Sequence, residues 1–130
     1  MTKPGTDAYT DFNGKYNTSE IINFLADHDD GKVYGAPAAE ACVAYTFPNG
    51  TKGYLPALGE LITVYNNKSA VSSAMSLIGG NALKKNDEYY WSSTQSGSST
   101  SYSYSFMYGS INAYGYKSST TCYVRAFSSL

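Results

Sequence analysis

Tyr89-Tyr90-Trp91-Ser92-Ser93-Thr94-Gln95, followed by a Ser/Tyr-rich run to Tyr123 and a closing Val124-Arg125-Ala126-Phe127, is the stretch on which the fold turns. Before it, apolar residues recur at helical spacing; from Tyr89 the period changes. In Ser101-Tyr102-Ser103-Tyr104-Ser105-Phe106 the alternation is strict, which puts Tyr102, Tyr104 and Phe106 on one face of a strand and the serines on the other. Gly109 makes a turn, and Ser110 to Tyr116 alternates again, with Ile111, Ala113 and Gly115 opposite Ser110, Asn112, Tyr114 and Tyr116. The two runs predict a hairpin with Tyr102, Tyr104, Phe106 and Ile111 inward and Ser103, Ser105, Ser110, Asn112, Tyr114 and Tyr116 outward. Val124 to Phe127 predicts a short final strand tucked against the core.

The chain ahead of this stretch reads as scaffold. Residues 8–16 show an aromatic alternation broken by Asn13-Gly14, which predicts a short strand and turn. Asn17 stands three residues before Glu20, a capping arrangement that introduces Ile21, Ile22, Phe24 and Leu25 on a helix ending near Asp27. His28 lies among Asp27, Asp29 and Asp30, but consecutive side chains do not converge on one ion and Gly31 marks a loop, so this is a solvated helix end. Pro37 suits the first turn of a helix through Ala44, and Pro48-Asn49-Gly50 is a turn. After Pro56 a helix follows, since Leu58, Leu61, Ile62 and Tyr65 recur at helical spacing, Glu60 sits in the first turn, and Asn66-Asn67 ends it. A further helix carries Ala70, Val71, Ala74, Met75, Leu77 and Ile78 up to Gly79-Gly80, with Met75 as core filler.

Composition bounds the function. A chain of 130 residues holds one domain, and a net charge of -1 with nine scattered Lys and Arg lacks the basic footprint of a nucleic-acid binder. The N-terminus has no apolar run, so neither a signal peptide nor direct membrane insertion is expected. Cys42 and Cys122 are too few for a disulfide framework and lack metal-ligand spacing, leaving both a pair and two free thiols open. Tyr is abundant at 14 residues while charged residues make up 15%, against roughly a quarter in ordinary domains. Part of the surface is therefore Tyr and Ser instead of Lys and Glu.

A catalytic constellation is hard to assemble from this inventory. His28 is the one histidine, the cysteines neighbour no basic motif, and the carboxylates fall mostly at helix ends. Gly79-Gly80 follows a helix, not the strand that a phosphate-cradling loop needs. No enzyme activity, cofactor or metal is expected, and the serines read as hydrogen-bonding surface. Trp91, in a fixed-looking motif, reads as a core residue, and Arg125 as a structural group.

At Gly53-Tyr54-Leu55-Pro56, Glu60-Leu61, Gly79-Gly80, Tyr90-Trp91-Ser92-Ser93-Thr94-Gln95, Phe106, Gly109, Lys117 and Val124-Arg125, the sequence resembles the C-type-lectin-fold variable proteins of diversity-generating retroelements. Their pattern reads W/Y-x-L-P, E-L, Y-W-S-S-T and V-R, and the resemblance covers about the last two-thirds of the chain. It implies a single C-type lectin-like α+β domain over residues 1–130, with helices framing a small antiparallel sheet. Residues 1–52 would be N-terminal scaffold and residues 91–127 a variable ligand-binding region. In such families a reverse transcriptase recopies a template with errors at adenines, so Asn codons become codons ending in the same pyrimidine. These never encode Trp, Gln, Glu, Lys or Met. From Ser96 to Tyr123 the excluded residues number only Met107 and Lys117, and Lys117 falls where the family keeps a lysine. A Ser/Thr/Tyr-rich sheet yields a similar list from strand propensity alone; the outward register of the polar set favours the retroelement.

The resemblance implies a protein ligand, such as a host-cell or bacterial surface protein, and display on a cell surface or phage particle. Its binding set is Ser96, Ser98, Ser99, Thr100, Ser103, Ser105, Tyr108, Ser110, Asn112, Tyr114, Tyr116, Ser118, Ser119 and Thr120, with Tyr108, Tyr114 and Tyr116 as anchors. The family usually has Trp where this chain has Tyr102. The calcium motifs of sugar-binding lectins, Glu-Pro-Asn with Trp-Asn-Asp, do not occur, and Phe47-Pro48-Asn49 lacks their carboxylate. Two other classes compete: a lectin-like adhesion or pilus-tip domain without diversification, and an enzyme of the related formylglycine-generating fold, which would need a reactive cysteine near the last strands, where Cys122 lies.

Overall fold

The computed structural model describes residues 5–27, 36–71, 89–96, 100–106, 108–116 and 122–128. A 3-10 helix (Gly5–Thr10) leads into α1 (Gly14–Asp27), α2 (Pro37–Ala44) and α3 (Leu58–Asn66), and three strands follow, β1 (Tyr89–Gln95), β2 (Thr100–Ser105) and β3 (Ser110–Tyr116). The strands form one antiparallel sheet in the order β1-β2-β3. The architecture is α+β, helices against a small antiparallel sheet.

Proline placement and apolar spacing locate α2 and α3 correctly. Residues 68–71 are helical too; the remainder of the helix expected up to Gly79-Gly80, like His28 and its neighbours Asp29 and Asp30, lies outside the described residues. The start of the chain corrects the sequence reading. Residues 8–16 form no strand but the end of the 3-10 helix and the first turn of α1, which begins at Gly14. Asn17 is therefore inside the helix and buried, not at its cap.

One nearby and one distant carboxylate do the capping instead. Asp11 Oδ1 accepts the Asn13 N–H at 3.0 Å, turning the chain into the helix. Glu60 Oε1 accepts the Gly14 N–H at 2.8 Å and the Ala57 N–H at 3.1 Å, while the Tyr54 hydroxyl donates to Oε2 at 2.7 Å. One carboxylate in the first turn of α3 thus satisfies amides at the start of both α1 and α3, which would otherwise lack partners. The approach leaves no space for a side chain at Gly14: a Cβ there would collide with the Glu60 carboxylate and lie 2.7 Å from the Ala57 nitrogen. The Thr18 hydroxyl donates to the Gly14 carbonyl at 2.7 Å and accepts the Leu55 N–H at 2.9 Å, tying α1 to the segment before α3.

The core is divided by the sheet. On one side Tyr90, Tyr102, Tyr104 and Phe106 pack with Ala8, Leu58 and Leu61. Tyr65 of α3 sets its ring edge-on to Tyr104 and Phe106, with centroids 5.4 and 5.8 Å away, an arrangement the ring quadrupoles favour. On the other side Trp91 packs with Ala39, Cys42 and Leu55. Tyr102, Tyr104, Phe106 and Trp91 are all core residues, as their positions in the alternation and the motif predict.

The hairpin between β2 and β3 turns at Gly109, whose φ of 62° lies in the left-handed region and whose missing Cβ would stand 2.7 Å from the Tyr65 hydroxyl. Both backbone and space require glycine there. Val124–Phe127 does not form the expected strand. The C-terminal segment from Tyr123 on joins the fold through two isolated bridges, Tyr123 parallel to Tyr90 and Phe127 antiparallel to Tyr54. Tyr123 thus lies along the outer edge of β1, while Phe127 is bonded to a different segment, so no continuous ladder develops. Among the described residues no helix is long and apolar enough to cross a membrane.

Candidate binding surface

The Trp-Ser-Ser-Thr motif is built inward. β1 pairs with β2 through Tyr89–Ser105, Tyr90–Tyr104 and Trp91–Ser103, then slips so that Gln95 opposes Ser101. Between the two registers Ser92, Ser93 and Thr94 are all buried, and a slip in a buried ladder leaves backbone groups needing other partners. Hydroxyls supply them. Ser101 Oγ reaches the carbonyls of Ser92 and Thr94 at 3.0 and 2.8 Å, and Ser92 Oγ donates to the Tyr102 carbonyl at 2.7 Å. The Ser93 N–H donates to the Pro56 carbonyl at 2.8 Å.

Thr94 links this strand to the helices. Its Oγ1 donates to Asp11 Oδ2 at 2.9 Å and accepts the Leu58 N–H, the first amide of α3, at 2.8 Å. Asn17 Nδ2 donates to the same Asp11 oxygen at 2.9 Å and lies 3.3 Å from Ser93 Oγ. Asp11, Asn17, Ser93 and Thr94 form a buried polar joint between α1, α3 and β1, none of it open to a ligand. Sequence reasoning took the serines of the motif as recognition pattern only; the signal for this joint was Asp11 and Asn17, polar residues in an aromatic-rich segment.

The predicted binding set divides. Ser103 and Ser105, expected on the outward face, are fully buried at 0% exposure. The reason is that β2 is the central strand and both of its faces are covered, so pleat alternation separates two buried faces there instead of core from solvent. Ser105 Oγ accepts the Tyr108 N–H at 3.2 Å; Ser103 Oγ has no hydrogen-bond partner. Ser96 and Thr100 are half-buried and structurally engaged: Ser96 Oγ bonds the Ala113 carbonyl at 2.5 Å and Thr100 Oγ1 at 2.9 Å, tying the residue after β1 to β2 and β3. Ser110 and Asn112 are half-exposed on β3, and Tyr108 is 61% exposed at the hairpin tip. Tyr114 and Tyr116 belong to β3, with Tyr116 opposite Thr100; the placement of their side chains, and Ser98, Ser99, Ser118, Ser119 and Thr120 altogether, lie outside the described residues.

The geometry therefore gathers Tyr108, Ser110 and Asn112 along the hairpin tip and β3. Aromatic exposure outside the predicted binding set sits on Tyr9, Phe12, Tyr16 and Tyr45, and on Phe24, which helical spacing puts among the apolar residues of α1 but which is exposed. Spacing carried a signal for three of them, since Tyr9, Phe12 and Tyr16 recur at helical intervals outside the apolar set of α1.

Charge at the joint is spent on structure. The Asp11–Thr94 and Glu60–Tyr54 contacts bring a carboxylate to a hydroxyl, but each carboxylate also holds backbone amides. Burial, and then the bond to Glu60, push the Tyr54 phenol above its ordinary range; burial likewise raises Tyr104. These groups remain protonated at neutral pH. Among the described residues no three His, Cys, Asp or Glu side chains come together to hold a metal ion. Compared with protein families, with characterised proteins and with solved structures, the chain matches none of them.

Proposed function

We propose that this chain is a non-catalytic protein-binding domain of C-type lectin fold, whose surface at the β2–β3 hairpin and β3 is rewritten by a diversity-generating retroelement. The observation that carries the proposal is the division of the terminal Ser/Tyr stretch. Its first strands are locked into the buried joint and the core, whereas Tyr108, Ser110 and Asn112 reach solvent. Tyr offers a large, rigid, amphipathic contact at low entropic cost, and Ser and Asn adapt their hydrogen bonds, a combination suited to a protein ligand. The ligand is a protein on a host cell or another bacterium, and the domain is displayed on a cell surface or phage particle. No cofactor is required.

Ser103 and Ser105 favour a second reading at their own positions. They fall inside the stretch that the resemblance would diversify, yet they are fully buried, as befits a lectin-like adhesion domain with a fixed surface. The two readings share the same contact face.

The contact face is tested by selecting a target from a displayed panel of bacterial and host surface proteins. Replacing Tyr108, Tyr114 and Tyr116 together by Ala is expected to weaken binding to that target by at least about a hundredfold, since aromatic anchors each contribute on the order of 2 kcal/mol. The melting temperature of the triple variant should stay within about 3 °C of the parent, the outcome expected if none of the three rings packs in the core. Affinity unchanged in the triple variant contradicts the assignment.

A further inference from the structure

The chain's two cysteines, distant in sequence, belong to one hydrophobic cluster. Cys42 lies in the last turn of α2, buried with Ala39, Leu55 and Trp91, and Cys122 packs against that same cluster from the C-terminal segment. Backbone bonds hold the second partner there. The Tyr123 N–H donates to the Tyr89 carbonyl at 2.8 Å and the Trp91 N–H to the Tyr123 carbonyl at 2.9 Å, so the residue next to Cys122 is clamped on both sides to the strand that carries Trp91. Four residues on, Ala126 and the Cys42 carbonyl face the same point: a Cβ built on Gly53 would touch that carbonyl and stand 3.0 Å from the Ala126 Cβ. Reciprocal bonds between Tyr54 and Phe127, at 2.8 and 2.9 Å, fix the far end. The segment from Cys122 to Phe127 is thus laid along the wall of the pocket that holds Cys42.

We propose that Cys42 and Cys122 are a disulfide-forming pair, closed by exchange with a small-molecule disulfide, and that closure bolts the end of the binding region to α2. Cys122 is half-exposed whereas Cys42 is 1% exposed, so Cys122 meets the oxidant first. Its thiolate attacks one sulfur of the oxidant, forming a mixed disulfide and releasing one small thiol. Cys42 then gives its proton to water or buffer and its thiolate attacks the Cys122 sulfur, releasing the second small thiol. Two protein thiols become one disulfide as one external disulfide becomes two thiols, so electrons and protons balance. Burial pushes the Cys42 thiol up to about 12, which makes the second step slow and keeps Cys42 from reacting alone with outside reagents. The bridge spans α3 and the whole sheet in sequence, a long loop whose closure chiefly restricts the unfolded chain. It leaves Tyr108, Ser110 and Asn112 untouched, so it stabilises the scaffold and not the contact face.

The full chain incubated with oxidised glutathione, against a sample kept in reductant, tests the pair by intact mass, peptide mapping and melting temperature. The expected product is a monomer lighter by two hydrogens, with the Cys42 and Cys122 peptides joined and the melting temperature raised by about 10 °C. Cys122→Ala is expected to fold and to lose the oxidant-dependent rise. A lasting glutathione adduct on Cys122 with Cys42 still reduced, a dimer joined through Cys122, or no reaction in the folded monomer would each overturn the proposal.

Discussion

Asp11→Ala is expected to lower the melting temperature by about 10–15 °C, because it costs roughly 3 kcal/mol or more in a domain of this size. Asp11 is the acceptor at the centre of the joint, taking the Asn13 N–H, the Asn17 amide and the Thr94 hydroxyl at 3.0, 2.9 and 2.9 Å. Removing it strands buried donors, and each buried donor without a partner costs about 1–3 kcal/mol. The effect spreads because Thr94 also accepts the first amide of α3. Thr94→Val should be damaging too, but the double variant should cost at least about 1 kcal/mol less than the sum, since both changes break the same contact. Thermal melts of the four proteins read this directly. Additive costs, or a fall of under about 3 °C for Asp11→Ala, would mean that the joint does not hold the helices to the sheet.

The second large effect separates positions that look alike in sequence. Ser103→Tyr should cost more than about 3 kcal/mol and leave little folded protein, because a fully buried site between covered faces must accept a whole ring. Ser110→Tyr and Asn112→Tyr, half-exposed on β3, should change stability by less than about 1 kcal/mol. A sign reversal sharpens the comparison. Ser103 Oγ is buried without a hydrogen-bond partner, so Ser103→Ala removes a desolvated hydroxyl and should raise stability by up to about 1 kcal/mol. Denaturant melts of these four variants decide it. Equal tolerance of Tyr at Ser103 and Ser110 would show that the stretch is not divided as described.

What the sequence made legible followed hydrophobic period. Leu58, Leu61, Ile62 and Tyr65 placed α3, Pro37 placed the start of α2, and the alternation around Tyr102, Tyr104 and Phe106 placed the hairpin and one face of its core. What was lost ran against polarity. Near the N-terminus Tyr9, Phe12 and Tyr16 are exposed while Asp11, Asn17 and Thr18 are buried, so a pattern read from apolar residues assigned strand to a segment whose inward side is polar. Burial of that kind is decided by partners far along the chain, Ser93, Thr94 and Leu55, and local pattern does not contain them.

The candidate site failed in the same way at Ser103 and Ser105. Alternation says which residues share a face, but whether that face meets solvent depends on what packs over it, and both faces of β2 are covered. On β3, an edge strand, Ser110, Ile111, Asn112 and Ala113 are all half-exposed, so the outward and inward sets are less sharply divided there. The terminal strand fails for a related reason: of the four residues Val124 to Phe127 only Phe127 makes a bridge, to Tyr54, while Tyr123 before them bridges to Tyr90 in a different segment. Glu60 was expected in the first turn of α3, but its second task at the start of α1 depends on a contact that only the folded chain makes.

If the proposed surface was written by copying from a template, the nucleotide sequence of the gene and its flanks carries the record. The codons for Tyr108, Ser110, Asn112, Tyr114 and Tyr116 should end in C or T, a condition that only Ser110 is able to fail, since Tyr and Asn codons always end so. A near-copy of codons 96–123 should lie nearby, with AAC or AAT at those positions and a reverse transcriptase gene beside it. A Ser110 codon ending in A or G, or flanks without any near-copy, would contradict diversification and leave a binding domain with a fixed face.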